Sequence, residues 1–286
     1  MHIPQKLRHL GHFEAGRAWL ADLPQLVSEL ERDWHLELGP PFEGSSVSYV
    51  VPATQGDLHL VLKVQWPHDE CLLEADALRV WDGDGSVALL GHDAQKHALL
   101  LERCQPGISL AATHTVDFLE VLASLLPRLW KRTSLPFRPL SDEAREWADG
   151  LVSDWDASEF RCERRFIDAA SAFIDELADT QGEQVLVHQD LHGDNVLAAQ
   201  RQPWLAIDPK PLLAEREFSL APIIRSFEFG HSCEAVVGRL DRLSIALNLD
   251  RQRARGWAVA QTVAWSFDST SAEQHYETVR WLLDAA

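Results

Sequence analysis

The chain has 286 residues, enough to bury a sizeable core as one large domain or as two lobes. Its composition, 46% hydrophobic and 24% charged, is that of an ordinary globular protein, and a net charge of −18 repels a phosphate backbone, which argues against nucleic acid as a partner. No basic stretch followed by an apolar segment opens the sequence, no run approaches the ~18 apolar residues of a membrane span, and Cys71, Cys104, Cys162 and Cys233 form no C-x-x-C pair; the expectation is a cytoplasmic protein with reduced cysteines and no membrane partner.

In chain order, residues 13–32 carry a helical pattern. From Leu36 to Arg103 the texture is that of short strands, "SVSYVVPA", "LHLVLKVQW", "VALL" and "HALLLERC", separated by turn residues such as "TQGD" and "GDG". One helix interrupts them, capped by Asp69 and with Leu72, Ala75 and Leu78 on one face. Beyond Thr113 the pattern is mostly helical, in "VDFLEVLASLLPRLW", "DEAREWADGLVSDW" and "RRFIDAASAFIDEL", and only "QVLVHQ", "NVLAA" and "WLAID" read as strands. The division expected is an N-terminal lobe over 1–103 and a helical lobe over 104–286, joined near "ERCQPG".

The densest chemistry lies in "HQDLHGDN", His188 to Asn195, directly after an apolar strand. If "NVLAA" and "WLAID" form a hairpin closed by a four-residue turn at Gln200–Pro203, Ala199 pairs with Trp204 and Asn195 with Asp208, with opposing Cβ atoms about 5 Å apart. An amide oxygen and a carboxylate at that spacing suit Mg²⁺, which takes one or two protein oxygens and fills its other positions with phosphate and water. Asp190, five residues before Asn195, is placed to accept a proton from a substrate hydroxyl, and the pattern H-x-D-x-x-x-x-N followed by a strand-closing Asp is that of phosphoryl transfer from a nucleoside triphosphate. Two readings compete: a metallohydrolase cluster of His188, Asp190, His192 and Asp194, and a merely structural polar turn. Gly193 and the missing apolar alternation make the stretch a loop, which weighs against the first. Both histidines are expected to brace the loop rather than carry chemistry.

A nucleotide site needs more upstream. Lys63 is a cation in an otherwise apolar strand, fit to bind phosphate if an acid holds its ammonium; Glu74, eleven residues on, is the choice because it lies deeper in the expected helix among Leu73, Ala75 and Ala77, with Glu70 in reserve. "EGSSVS", Glu43 to Ser48, lies where a phosphate-covering loop belongs, with Ser45 and Ser46 supplying amides and hydroxyls.

With "VLVHQDLHGDNVLAA", "WLAIDPKPLLAEREFSLAPIIR" and "EADALRVWDGDGSVALL", the chain resembles the aminoglycoside phosphotransferase family over about Pro41 to Arg225, and within it the streptomycin 6-kinase and hydroxyurea kinase branch. The resemblance implies an α+β, bilobal protein-kinase-like fold, with a five-stranded antiparallel sheet lobe and a larger helical lobe. It also implies ATP and Mg²⁺ as cofactors, Asp190 as base, Asn195 and Asp208 as metal ligands, Lys63 as phosphate ligand, and the backbone from Glu102 to Cys104 as an adenine hinge. Gln189 replaces the Arg of H-R-D, no A-P-E follows "IDPK", and Ser219 stands in "EFSLA" where the family often has Asp, so a loop-bracing hydrogen bond is expected to be weaker. The acceptor expected is a cationic aminocyclitol such as streptomycin, met by Trp265, Asp268 and Glu273 in "AWSFDSTSAEQHYE", with Asp149, Asp154 and Asp156 as further acids. A small-metabolite hydroxyl is the alternative, and a non-catalytic nucleotide-binding protein a more distant one.

Overall fold

The computed structural model describes residues 1–68, 72–159, 161–267 and 269–285; Asp69, Glu70 and Asp268 lie outside them. The chain divides into two units, Met1–Gly107 and Ile108–Ala286.

In the first unit, a five-stranded antiparallel sheet runs in the order β1-β2-β3-β5-β4, from β1 (Glu37–Leu38), β2 (Ser48–Gln55), β3 (Leu58–Gln65), β4 (Leu89–Asp93) and β5 (Ala98–Glu102). Alternation along β3 decides what each face carries. Leu60, Leu62 and Val64 join a core with Leu23, Val27 and Leu30, spaced i, i+4, i+7 along α1 (Glu14–Asp33). The intervening Lys63 and Gln65 therefore point to the opposite face, and both are buried there. Helix α2 (Glu74–Trp81) opens on Glu74, so this acid lies in the first turn rather than deep in the helix as its apolar neighbours suggested. Leu72 is exposed and does not share the buried face of Ala75 and Leu78. The strand expected at "VALL" starts two residues late because the Ala88 amide donates to the Glu102 carboxylate (3.0 Å) instead of to a strand carbonyl.

The second unit holds α3 (Phe118–Leu129), α4 (Leu140–Ala157), α5 (Arg164–Leu177), α6 (Ala221–Ile224), α7 (Cys233–Leu247), α8 (Arg251–Ala264) and α9 (Ala272–Asp284). Helix α8 is buried nearly all round, from Gly256 to Val263. Its small residues allow close approach: a Cβ on Gly256 would lie 2.8 Å from side-chain carbons of both Leu177 and Phe173 of α5.

Two antiparallel ladders interlock within this helical frame. Strand β6 (Gln184–His188) pairs with β9 (Pro211–Glu215), from Gln184↔Glu215 to His188↔Pro211, and β7 (Val196–Ala198) pairs with β8 (Trp204–Ala206). Strand β9 was not legible as a strand, since "PKPLLAE" is short and has Pro211 at its head, a first-residue position that a ladder tolerates. The hairpin register differs by one residue from the expected pairing. Ala198, not Ala199, faces Trp204, and the Ala199 amide instead closes the loop onto the Pro203 carbonyl at 3.2 Å. Asn195 consequently lies opposite Ile207, whose amide donates to the Asn195 carbonyl (2.9 Å), and Asp208 sits one residue beyond, turned out of the ladder by a left-handed φ of 54°.

His275 of α9 is buried against Phe227, and its Nδ1 makes no hydrogen bond; burial, reinforced by the charge of Arg225 and by His231, pushes the imidazole down to about 4. An unfolded chain takes up this proton near 6.5 and the folded one only near 4, so stability is fully present above 6.5 and drains away as the pH falls. By pH 5 the loss is about 2 kcal/mol from this residue. Urea midpoints at pH 7.5 and pH 5 should differ accordingly, and His275→Leu should shrink the difference by about that amount.

Candidate active site

The loop after β6 is built from its own backbone. His188, 2% exposed, accepts from the Asp190 amide at Nδ1 (3.2 Å) and approaches the Ile207 carbonyl through Nε2 (3.0 Å), so Nε2 carries the proton. Burial lowers its pKa to about 4, consistent with a neutral ring whose two nitrogens bond to backbone on either side of the site. A ring committed in this way has no lone pair for a metal, which removes His188 from the metallohydrolase cluster. Asn195 closes a 3₁₀ turn (Gly193–Asn195) and donates from Nδ2 to the Asp190 carbonyl at 2.9 Å. That bond uses the amide nitrogen and leaves Oδ1 as the side chain's acceptor atom. The exposed carboxylate of Asp208 follows Ile207, the residue that His188 holds, and its charge is felt at His188. One amide oxygen and one carboxylate are the hard donors that Mg²⁺ accepts, so the residues present fit that ion.

His192 has a separate partner. Its Nδ1 lies 2.6 Å from Glu228, and the other oxygen of Glu228 accepts from the Gly193 amide at 2.7 Å. Burial opposes the imidazolium, but the Glu228 carboxylate outweighs it and the His192 pKa is raised. Burial likewise pushes Glu228 up, but bonds from His192 and the loop amides bring its pKa below the ordinary value. Gly193 is required for this approach, because a Cβ there would lie 2.5 Å from Phe229 Cζ and 2.9 Å from Glu228. His192, Asp194 and Glu228 bring potential ligand atoms within 4.8 Å of one another. The first and third are bonded to each other, and Asp194 accepts from the Ser109 hydroxyl at 3.0 Å. This cluster fastens the loop, as the sequence led one to expect of its histidines.

The Asp190 carboxylate is half-buried beside two cations that the sequence reading did not single out. Arg225, just past α6, donates to Oδ1 at 3.1 Å, and Lys210 Nζ lies 3.9 Å from Oδ2. Burial lowers the Arg225 pKa, and its Nε also reaches Gln261 of α8 (3.3 Å), which in turn donates to the Gln189 carbonyl (3.1 Å). Arg225 was discoverable as a lone cation closing the apolar "APII", Glu228 as an acid between two phenylalanines, and Lys210 from "IDPK". Trp265, at the C-terminal end of α8, lies under both cations: Arg225 Cζ is 4.6 Å and Lys210 Nζ 5.2 Å from its ring centre. Glu273, in the first turn of α9, is exposed, as are Asp149, Asp154 and Asp156 on α4. The Ser219 hydroxyl accepts from the Trp130 indole at 2.9 Å, so it braces the end of α3 rather than the loop.

In the first unit, Lys63 Nζ donates to both oxygens of Glu74 (2.9 and 2.7 Å), and Gln65 Nε2 donates to Oε2 (2.6 Å), all buried. The Ser45 hydroxyl accepts from the Ser48 amide (3.1 Å), shaping the turn in which Ser46 is exposed. The Glu102 amide is bonded to the Ala88 carbonyl (2.9 Å) and the Arg103 amide to the His59 carbonyl (3.4 Å), with Cys104 following as a buried residue.

A buried pair between a strand Lys of a five-stranded sheet and a helix Glu, with a D-x-x-x-x-N loop and an I-D turn in a helical unit, defines a phosphotransferase of the protein-kinase-like fold. The chain belongs to the aminoglycoside/hydroxyurea antibiotic resistance kinases, whose family pattern matches residues 34–270. It is 37% identical over 266 residues to streptomycin 6-kinase of Streptomyces griseus, covering 89% of this chain and 86% of that one. It is 36% identical over 267 residues to hydroxyurea phosphotransferase of Kitasatospora aureofaciens, covering 91% and 76%. Among solved structures, a thermostable mutant of aminoglycoside phosphotransferase APH(4)-Ia, in ternary complex with AMP-PNP and hygromycin B, shares the fold with a TM-score of 0.67 at 14% identity, over 90% of this chain and 97% of the other.

Proposed function

We propose that the chain transfers the γ-phosphoryl group of ATP to a hydroxyl of a streptomycin-like aminocyclitol, with Asp190 as the base. The observation that carries this reading is Asp190: its carboxylate is half-buried just past β6 and accepts from Arg225 through one oxygen, while its backbone carbonyl accepts from the Asn195 side-chain amide. Such a group orients the acceptor hydroxyl and takes its proton as the bond to phosphorus forms. Asn195 Oδ1 and the Asp208 carboxylate would hold Mg²⁺, which when bound neutralises charge on the β- and γ-phosphates. Lys63, fixed by Glu74 and Gln65, is the phosphate ligand in the first unit, with the Ser45–Ser46 turn beside the nucleotide and Glu102 to Cys104 as the adenine hinge. Glu273 and Asp268 are the carboxylates assigned to the cationic acceptor. Hydroxyurea is the second reading, favoured by an identity to its phosphotransferase within one per cent of that to streptomycin 6-kinase.

The test is ATP consumption, with product mass, against streptomycin, other aminoglycosides, hydroxyurea, choline and sugars. A monophosphate ester of streptomycin is expected, and Asp208→Ala should abolish it while leaving the protein folded, because an uncompensated phosphate charge blocks transfer. Preference for hydroxyurea would select the second reading. Zn²⁺-dependent hydrolysis without nucleotide would sink both.

A further inference from the structure

Trp265 lies at the end of a helix with two cations from the chain itself over its ring, and both cations reach the same carboxylate. Arg225 and Lys210 come from different segments, one after α6 and one just before β9, yet each lies within 5.2 Å of the ring centre and within 3.9 Å of an Asp190 oxygen. An aromatic face attracts a cation through its quadrupole, more strongly where water is thin. Arg225 is almost fully desolvated here, its side chain 14% exposed. For stability alone this is a poor arrangement, since burying ions costs as much as their attraction returns. It does do one thing well: the ring and the bond from Arg225 Nε to Gln261 restrain the guanidinium that holds Oδ1.

We propose that Trp265 is a positioning residue for phosphoryl transfer, acting on Asp190 through Arg225 and Lys210 rather than by stacking on the acceptor. Oδ1 accepts from Arg225 at 3.1 Å, whereas Lys210 stands 3.9 Å from Oδ2, beyond hydrogen-bond distance, so Oδ2 is the oxygen presented to the acceptor. The acceptor O–H gives its proton to Oδ2, its oxygen forms the new bond to the γ-phosphorus, and the bond from that phosphorus to the bridging oxygen breaks, with the electron pair leaving on the nucleoside diphosphate. The inference rests on the function proposed above and deepens it.

The two roles for the ring separate in steady-state kinetics. A platform for the acceptor contributes binding, and its loss raises KM with kcat kept; a shelf for the base's partners contributes orientation, and its loss lowers kcat with KM kept. Trp265→Leu is expected to lower kcat about tenfold or more, leaving KM for ATP and for streptomycin within about twofold, while Trp265→Phe, which keeps a ring face, recovers at least about a third of the wild-type kcat. Arg225→Lys, which keeps the charge but loses the two-point bond to Asp190 and Gln261, should lower kcat about as much. Combined with Trp265→Leu it should lose less than the product of the two separate losses, because both act on one contact. Thermal unfolding identifies a variant that does not fold; if Trp265→Leu is one, the graded series Trp265→Tyr and Trp265→Phe carries the comparison. A raised streptomycin KM at unchanged kcat would overturn the inference in favour of an acceptor platform, and so would unchanged kinetics in all Trp265 variants. If the wild-type chain phosphorylates no acceptor at all, the proposed function has failed instead, and that outcome is seen before any variant is made.

Discussion

Asp190→Asn is expected to lower kcat by about 10²–10⁴-fold while nucleotide affinity stays near that of the wild type, the range by which a general base accelerates proton transfer. An amide of the same shape still accepts from Arg225 and keeps the loop's other bonds, namely His188 to the Asp190 amide and Asn195 to its carbonyl. What it loses is the oxygen that can take a proton. His192→Ala makes the informative contrast. His192 pairs with Glu228, and Glu228 keeps a bond from the Gly193 amide without it, so the loop remains fastened on one side. The expected loss is about tenfold or less, through loop placement alone. Initial rates at saturating ATP and acceptor, with nucleotide affinity measured by equilibrium binding, check both. A larger loss in His192→Ala than in Asp190→Asn would exchange the roles assigned inside "HQDLHGDN".

The parts of this site legible in the sequence are those held by local spacing. His188, Asp190 and Asn195 fall on one short loop, and its position after an apolar strand could be read from "VLVH". Lys63 stood out as a cation in a strand, and Glu74 was preferred to Glu70 for its apolar helix neighbours; the structure pairs Lys63 with Glu74, although that acid opens the helix instead of lying deep in it. The hairpin register was not legible. A loop ending in Pro203 offers no amide there to fix the count, and one residue of slip moved Asn195 from opposite Asp208 to opposite Ile207. Long-range contacts were equally hidden. Arg225, Glu228 and Gln261 reach the loop only because α6, the segment after it and α8 fold back onto it, across 35, 36 and 72 positions of sequence. Trp265 was noticed, but no pattern in "AWSF" could say that its face is taken by Arg225 and Lys210.

The largest effect on stability is expected at Glu215, the last residue of β9 and only 2% exposed. Its carboxylate accepts from Arg253 Nε and the neighbouring guanidinium nitrogen at 2.9–3.0 Å, from the Trp257 indole at 2.5 Å, and from the Gly182 amide at 3.3 Å. Glu215→Ala leaves the Arg253 guanidinium, itself only 23% exposed, without its carboxylate, and strands the fully buried Trp257 N–H. Breaking a buried pair by removing one partner typically costs about 3–5 kcal/mol. Urea unfolding of Glu215→Ala should show a loss of that order at an unchanged slope. The double variant Glu215→Leu/Arg253→Met, in which no charge is left behind, should recover a large part of it. The chemistry should respond differently. Strand β9 starts at Pro211, three residues after Asp208, and its pairing with β6 sets His188 beside the Ile207 carbonyl. Folded Glu215→Ala at low temperature should therefore keep most of its kcat and lose activity only as the strand end frays, at a temperature lowered in step with unfolding. A loss under about 1 kcal/mol would mean that Arg253, by turning to Thr180, whose carbonyl it already contacts at 3.1 Å, is satisfied without Glu215.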